Sequence, residues 1–522
     1  MSLKDAFLQR YGNRASQTRM IRIIEESICN GQEGSTTIIE APTGTGKTFG
    51  YLVPVLDAIL DGRIERACIS TGGKVLQKQI MKDLNTLAEL YDPVRRLNLV
   101  TLCGKANYRC RFLNDEPVHS LRSLCELKQK CPVESECEYR NGRANAPKAN
   151  LLVVNHHLLT TWVSSAKLEF SVLVCDEAHK LDESITNAQS HVFTSKKLDY
   201  YSRIFGFSEG LNPDSFYRLA ARLQKQDCKD AFTKEAEVIV QGQDLELSLV
   251  QKKLVKDYDD FFSNLAFYLE NPRGWIREER VAQKNGENDD AGIEYAHRPI
   301  FPDKSVLVNL APVKILTSAT ISREYLGDIF GIRGNFYELP SVFHFSNNIY
   351  IFNTNPNEKG WLDIVCKVVE ILRQEYRYTI LLLTNTRHLA KIPNAIRQDT
   401  LGAQNALRKF TKEGGVLAGV DSYWTGINIQ KDKALIVAKI PYPNPDDKLQ
   451  RARFDHFESI RKGLGWKYYQ NRALIMLKQG LGRFKRSEND SGAIVIVDNR
   501  VLKKKVFMDV LDKHGTIRLV SK

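Results

Sequence analysis

A glycine-rich loop near the start of the chain constrains its fold more than any other feature. It lies between an apolar strand predicted at residues 36–40 and a helix predicted from residue 48 to about 60, and it reads Ala41-Pro42-Thr43-Gly44-Thr45-Gly46-Lys47-Thr48. Glycines at two of these positions allow backbone N–H groups to turn inward around phosphate groups. Lys47 can then reach the terminal phosphates, and the Thr48 hydroxyl can ligate Mg²⁺. The loop therefore predicts a parallel α/β domain that binds a nucleotide.

An acidic pair follows a second apolar run. Asp176 and Glu177 come directly after the strand predicted at residues 172–175. In a nucleotide site Asp176 can hold Mg²⁺ through water, and Glu177 can orient or deprotonate the water that attacks the γ-phosphate. The alternative is an acidic turn that only caps a helix.

A basic segment lies in a second α/β block, which runs from about residue 336 to the end. It contains Gln479, Arg483 and Arg486. The two arginines are three residues apart, so on a helix they share one face and can reach one γ-phosphate, where hydrolysis develops negative charge. The alternative is a basic helix face in contact with solvent.

Length and charge narrow the class of protein. At 522 residues the chain is expected to form about three or four domains, and its apolar fraction of 43% is enough for several cores. The excess of 75 basic over 62 acidic residues gives a net charge of +13, which favours a nucleic-acid partner over a purely solvated basic surface. The chain has no apolar run long enough to span a membrane, so a cytoplasmic protein is expected.

Two segments interrupt the predicted alternation of strands and helices. Residues 102–147 are charged and rich in cysteine, and four cysteines between residues 110 and 137 have 14, 5 and 5 residues between them: Cys110, Cys125, Cys131 and Cys137. Four thiolates suit Zn²⁺ or an iron–sulfur cluster, and the absence of closely spaced pairs favours the cluster weakly; unliganded buried cysteines are the alternative. Residues 187–302 are polar, aromatic and helical in period.

Several further stretches, in this order along the chain, resemble the iron–sulfur DNA helicases typified by DinG and XPD, within helicase superfamily 2. They are Arg14-x-x-Gln17, Ser70-Thr71 with Leu76-Gln77-x-Gln79, Asn155-His156-x-Leu158-Leu159, Thr317-Ser318-Ala319-Thr320, Pro441-Tyr442-Pro443 and Gln479-x-x-Gly482-Arg483-x-x-Arg486.

The resemblance implies two RecA-like parallel-sheet motor domains with two insertions in the first. Motor domain 1 would comprise residues 1–101, 148–186 and 303–334, and motor domain 2 residues 335–522. Residues 102–147 would carry a [4Fe–4S] cluster on the four cysteines, and residues 187–302 a mostly helical arch.

The resemblance also implies the activity and its residues. The chain would use ATP and Mg²⁺ to move 5′ to 3′ on single-stranded DNA and to unwind forked duplexes in the cytoplasm, associated with the nucleoid in a prokaryote. Arg14 and Gln17 would read adenine. The implied catalytic residues are Lys47, Asp176, Glu177, Gln479, Arg483 and Arg486, and the implied DNA contacts are Ser70, Thr71, Gln77, Tyr108 and Thr384.

One stretch departs from the family pattern. Where the family has Trp-Glu-Gly-Val-Asp, this chain has Thr425 and Asn428 in place of the two carboxylates. The departure leaves room for a translocase that displaces proteins or RNA from DNA with little unwinding. A nuclease or a nucleic-acid-binding scaffold with a degenerate motor is disfavoured, because Lys47, Glu177 and Arg483 are all present.

Overall fold

A computed structural model describes the protein over residues 1–31, 34–111, 116–117, 134–241, 246–281, 292–303, 305–343, 347–420, 423–424, 432–482, 484 and 490–521. Two seven-stranded sheets form its frame, and every pair of neighbouring strands within each of them is parallel. This arrangement confirms the prediction of two parallel-sheet domains.

The first sheet has the strand order β12-β1-β11-β7-β2-β6-β3, with strands numbered in chain order over the whole molecule. Its strands are β1 (Thr36–Glu40), β2 (Ala67–Thr71), β3 (Leu99–Thr101), β6 (Leu151–Asn155), β7 (Val172–Asp176), β11 (Val313–Ser318) and β12 (Asn335–Glu338). Its helices are α1 (Leu3–Tyr11), α2 (Ala15–Asn30), α3 (Lys47–Leu60), α4 (Lys74–Leu90), α6 (His156–Leu158), α7 (Leu181–Gln189), α12 (Ser305–Val308) and α13 (Arg323–Phe330). Two apolar cores cover its two faces, as a parallel sheet requires.

The first domain extends beyond its predicted end at residue 334. Strand β12 pairs with β1, so that Thr37 lies opposite Asn335 and Glu40 opposite Glu338. The predicted boundary was therefore wrong by one strand. A four-residue strand at a sheet edge has little apolar pattern of its own, and only its pairing shows to which domain it belongs.

The second sheet has the strand order β15-β16-β14-β17-β18-β13-β19. Its strands are β13 (Asn348–Phe352), β14 (Tyr378–Leu382), β15 (Ala395–Arg397), β16 (Gly415–Gly419), β17 (Lys433–Val437), β18 (Gly492–Ile496) and β19 (Thr516–Val520). Its helices are α14 (Trp361–Glu375), α15 (Gln398–Leu401), α16 (Ala403–Glu413), α17 (Lys448–Ile460), α18 (Leu464–Leu481) and α19 (Lys505–Asp512).

Helix α18 bridges the two domains. Near its start, Tyr468 and Tyr469 join the core of the first domain, together with Phe457 of α17. Near its end, Leu477 and Leu481 belong to the core of the second domain. One helix therefore fixes how the two sheets face each other.

The two segments that interrupt the first domain have their own structure. Residues 187–302 form helices α8 (Ser195–Ile204), α9 (Pro213–Ala220), α10 (Lys225–Val240) and α11 (Leu247–Glu270) and an antiparallel sheet of β8 (His191–Thr194), β9 (Trp275–Val281) and β10 (Ile293–Pro299). The prediction named only the helices. The Cys-rich segment contains β4 (Arg109–Cys110), β5 (Glu116–Pro117) and α5 (Glu138–Asn145).

Aromatic side chains fill the core of the helical segment. Tyr201 is buried in it, and Tyr200, Phe205 and Phe207 pack against it. None of the helices in the described parts of the chain combines the length and apolar character that a membrane crossing requires.

Candidate nucleotide site

The phosphate loop has the backbone that its glycines predict. Gly44 and Gly46 have φ of 87° and 74°, in the left-handed region that favours glycine. Gly46 caps the start of α3, and its carbonyl oxygen accepts a hydrogen bond of 2.9 Å from the Gln17 side-chain amide. The Thr45 hydroxyl donates to the carbonyl oxygen of Pro42 at 2.8 Å. The loop is thus held open at a helix N-terminus, where phosphate binds favourably.

The acidic pair lies beside this loop. Lys47 Nζ is 3.5 Å from Glu177 Oε1, because β1 and β7 both end at the same edge of the sheet. Asp176 is buried and accepts hydrogen bonds from the Tyr51 hydroxyl at 3.2 Å and from the backbone N–H of Glu177 at 2.9 Å. The predicted phosphate and metal residues therefore come together in three dimensions.

The charges in this cluster suit a divalent cation. Burial, together with the neighbouring Glu177 carboxylate, raises the pKa of Asp176 above its ordinary value. Burial also opposes the charge of Glu177, but Lys47 and the other basic groups around it together outweigh burial and lower the pKa of that carboxyl. The carboxylate of Asp176 and the hydroxyl of Thr48 are hard oxygen donors of the kind that Mg²⁺ prefers, and a cation at Asp176 would offset its burial.

Glu177 begins a chain of polar contacts that ends in the second domain. Its Oε2 is 3.3 Å from His179 Nδ1, which in turn lies 2.7 Å from the Ser318 hydroxyl. Ser318 accepts a hydrogen bond from the backbone N–H of Thr320, and the Thr320 hydroxyl accepts one of 3.2 Å from the Gln479 amide on α18. Burial lowers the pKa of His179 to about 3, so its ring is neutral.

Glu177 also has an unusual backbone. Its φ of 55° lies in the left-handed region, which costs free energy for a residue other than glycine and is concentrated at functional sites. The turn places its carboxylate between Lys47 and His179.

The end of α18 reaches the phosphate loop. Lys478 Nζ forms an ion pair of 2.6 Å with Glu40, the last residue of β1. A Cβ atom built on Gly482 would lie 3.9 Å from Thr43 Cγ2. Arg483, Arg486, Thr425 and Asn428 lie outside the described residues.

The geometry so far is that of a nucleotide cleft between two parallel-sheet domains, and comparisons with known proteins agree. Residues 15–209 match the family of DEAD/DEAH box helicases, and residues 365–514 match the helicase C-terminal domain. The ATP-dependent DNA helicase YoaA of Haemophilus influenzae is 25% identical over 98% of this chain and 95% of its own length. The chain is therefore a DinG/XPD-like helicase. It is an ATP-dependent helicase by family.

Other relatives and solved structures extend over most of the helicase. The ATP-dependent helicase DinG of Mycobacterium tuberculosis is 23% identical over 90% of this chain and 88% of its own length. An XPD helicase structure superposes with a TM-score of 0.65 and 14% identity, covering 97% of this chain and all of that one. A second XPD structure, of the apo form, gives a TM-score of 0.61 at 16% identity. The shared fold is therefore that of the whole two-domain motor.

The expected DNA contacts lie in different environments in the helicase. Ser70, Thr71 and Gln77 are buried; Ser70 contacts His156 Nδ1 at 2.7 Å and Gln77 donates to the carbonyl oxygen of Leu102. In this conformation the side chains of Ser70 and Gln77 are thus bonded within the protein. Their assignment to DNA stays a prediction.

Three further expected residues lie at the surface or near it. Arg14 is exposed and begins α2, whereas Gln17 on the same helix reaches the phosphate loop. Tyr108 is half-buried, and its hydroxyl accepts a hydrogen bond from the backbone N–H of Cys103. Thr384 is half-buried two residues after β14.

Two of the four predicted cluster ligands lie within the described residues. Tyr108 and Tyr139 have ring centroids 5.4 Å apart, and Arg111 forms an ion pair of 3.1 Å with Glu136. These contacts flank Cys110 and Cys137, so the backbone segments that carry the two cysteines lie side by side. Cys125 and Cys131 lie outside the described residues. Within the described ranges, no group of three or more potential ligands could hold a metal ion.

Sequence reasoning missed two residues near the nucleotide cleft. Phe343 packs against Gly44, so closely that a Cβ atom there would overlap its ring. Asp182 is buried between the two domains. No pattern in the neighbouring sequence distinguishes either residue. Phe343 is one of several aromatic residues in its part of the chain, and Asp182 is adjacent to Glu183, which is exposed.

Proposed function

We propose that this helicase hydrolyses ATP to move along single-stranded DNA in the 5′ to 3′ direction and to unwind duplex DNA at a fork. The observation that carries the proposal is the chain of polar contacts from Glu177, beside the phosphate loop, to Gln479 in the second domain. Such a chain lets the state of the γ-phosphate bias the position of one domain against the other.

Each catalytic residue has a role that its place supports. Lys47 would exchange its contact with Glu177 for the β- and γ-phosphates, and Thr48 and Asp176 would hold Mg²⁺, which neutralises charge on the phosphates. Glu177, then released, would orient the attacking water and accept its proton. Gln479 would report hydrolysis to the second domain through Thr320.

Arg483 and Arg486 would supply positive charge to the transition state. The support is the approach of Gly482 to Thr43 of the phosphate loop, since Arg483 is the next residue along the chain. Charge delivered from a second domain makes hydrolysis depend on closure of the cleft. Opening and closing with each ATP would then move the two domains along the strand.

Three observations support DNA as the polymer along which the protein moves. The relatives from Haemophilus influenzae and Escherichia coli are named as DNA helicases. The net charge of +13 favours binding to a polyanion. The helical segment at residues 187–302, which is inserted between β7 and β11, would act as an arch that closes over the strand beside the Cys-rich segment.

The test is ATP turnover and strand separation on forked substrates with a single 5′ or 3′ tail. We expect single-stranded DNA to stimulate turnover on the order of 10-fold and unwinding to require the 5′ tail and ATP. Turnover indifferent to single-stranded DNA would contradict the proposed motor, and unwinding from the 3′ tail would contradict its direction. Stimulated turnover that displaces a bound protein or an RNA strand without separating duplex DNA would favour the alternative, a translocase.

We further propose that a [4Fe–4S] cluster is bound by Cys110, Cys125, Cys131 and Cys137. The cluster would cross-link this small segment and stabilise its fold. The contacts that bring the backbone beside Cys110 and Cys137 together support it, and thiolates are the ligands that such clusters use. The segment is short and charged, and small units commonly need a metal centre for stability.

The cluster prediction has a matched control nearby. In anaerobically purified protein we expect about four iron atoms per chain and visible absorption, both lost in Cys110→Ser. Cys103→Ser should keep both, because Cys103 is half-buried in the same region but is not one of the four. Zinc in place of iron, or iron unaffected by Cys110→Ser, would contradict the assignment.

A further inference from the structure

Asp182 forms a buried ionic centre five residues after the catalytic glutamate. Its side chain is 2% exposed, and its Oδ2 accepts hydrogen bonds from Arg453 Nη1 at 2.7 Å and from the Tyr325 hydroxyl. Arg472 Nη1 lies 3.8 Å from the same oxygen and donates to the Tyr325 hydroxyl at 3.0 Å. One carboxylate is thus shared by two arginines from the second domain and a tyrosine from the first.

Three parts of the molecule meet at this centre. Asp182 and Tyr325 belong to helices of the first domain, α7 and α13. Arg453 lies on α17 and Arg472 on α18 of the second. Arg453 Nε also donates to the carbonyl oxygen of Ile300 at 2.6 Å, where the chain returns from the inserted helical segment. The centre therefore joins both motor domains and the base of the insertion.

The contacts of this ionic centre allow its charged groups only a narrow range of positions. A charge in a dry environment is tolerated only when oppositely charged and hydrogen-bonding partners surround it. Although burial opposes its charge, Arg453 and Arg472 lower the pKa of Asp182, which stays ionised. Because the guanidinium of Arg453 is planar and contacts Asp182, Thr186 and Ile300 at once, only a narrow range of positions of α17 against α7 satisfies it.

The centre is connected to the catalytic residues along one rigid helix. Arg472 and Gln479 are seven residues apart on α18, which is two turns or about 10 Å. Gln479 contacts Thr320, and Gly482 at the helix end approaches Thr43. On the other side, Asp182 follows Glu177 through one short helical turn and the start of α7.

We propose that Asp182 is a positioning residue: with Arg453 and Arg472 it sets α18 against the first domain, so that Gln479 and the end of that helix are aligned with the phosphate loop. The inference rests on the proposed motor function and concerns how its two halves are aligned. The side-chain partners of Asp182 are Thr186, Tyr325, Arg453 and Arg472, and none of these belongs to the phosphate loop or to the proposed metal ligands. The loss of Asp182 would thus affect turnover and not the binding of ATP.

The test compares Asp182→Asn with wild type in DNA-stimulated ATP hydrolysis. The amide keeps the shape of the side chain but leaves two arginines without their counter-charge. We expect kcat to fall about 10- to 100-fold, since small displacements of catalytic groups have effects of this size, with the KM for ATP changed less than about twofold. Unchanged kcat in a folded Asp182→Asn protein would overturn the inference, and so would an equal rise in KM.

Two further variants separate positioning from folding. Arg472→Gln removes a half-exposed partner and should lower kcat about fivefold with an unchanged KM; wild-type kcat in this variant would overturn the inference even if Asp182→Asn does not fold. Asp257→Asn removes a partly buried ion pair with Lys253 inside the helical segment and should leave kcat unchanged. If the wild-type enzyme showed no stimulation by DNA, the proposed motor function would fail instead.

Discussion

Replacing Glu177 with glutamine is expected to reduce ATP turnover by about 100- to 1,000-fold, the range that a positioned general base contributes, while ATP still binds. The amide keeps the volume and one hydrogen-bond acceptor of the carboxylate but cannot take a proton from water. Lys47 would lose the contact that it makes with Glu177 at 3.5 Å, which leaves it free for the phosphates. The measurement is kcat beside the Kd of a fluorescent ATP analogue.

A neighbouring carboxylate provides the control for this experiment. Glu183 lies six residues further along, on α7, and is exposed, so Glu183→Gln should retain both kcat and Kd. Glu177→Gln with more than about a tenth of wild-type turnover would show that another group activates the water. A large rise in Kd would instead show that Glu177 organises the phosphate loop.

The residues that belong to sequence motifs could be predicted because the strands and helices next to them in the chain determine where they lie. The loop that leads to Lys47 follows one apolar strand, Asp176 ends another, and parallel strands present their carboxyl ends at one edge of the sheet. The short distance from Lys47 to Glu177 follows from that rule alone. The order of strands in each sheet was not needed to foresee it.

The interface between the domains was not predictable in the same way. Asp182 and Arg453 are 271 residues apart, and nothing in either neighbourhood distinguishes them from solvated charges. Asp182 is buried and Glu183 is exposed, although both lie in the first turn of one helix. Which carboxylate is buried depends on where α17 and α18 pack, and that is a tertiary contact.

Burial also changes the interpretation of the residues that were expected to contact DNA. Ser70 and Gln77 are polar residues after a strand and at the start of a helix, a place where ligand contacts are common in α/β domains. In the structure both are used internally, by His156 and by the carbonyl oxygen of Leu102. Polar residues near a site either bind the ligand or hold the loop that does, and the sequence pattern is the same for both.

Replacing Lys47 with alanine is expected to abolish ATP-driven activity by weakening both ATP binding and turnover, whereas Glu177→Gln should affect turnover alone. The ammonium group makes charge-assisted contacts to phosphate that are available in both the ground state and the transition state. We expect the Kd for ATP to rise about 10- to 100-fold, as for the loss of a charged hydrogen bond, and kcat to fall on the order of 100-fold or more. Equilibrium binding and turnover on single-stranded DNA measure the two effects separately.

The contrast between the two variants tests the site more sharply than either alone. Lys47 is the strongest of the basic neighbours that together lower the pKa of Glu177 against the effect of burial, so Lys47→Ala removes a phosphate ligand and also the partner of the general base. Glu177→Gln should therefore trap bound ATP, whereas Lys47→Ala should not retain it. Lys82→Ala, on an exposed position of α4, should match wild type in both measurements. Equal ATP affinities in the two site variants would mean that Lys47 does not contact the phosphates, and the proposed motor would lose its main support.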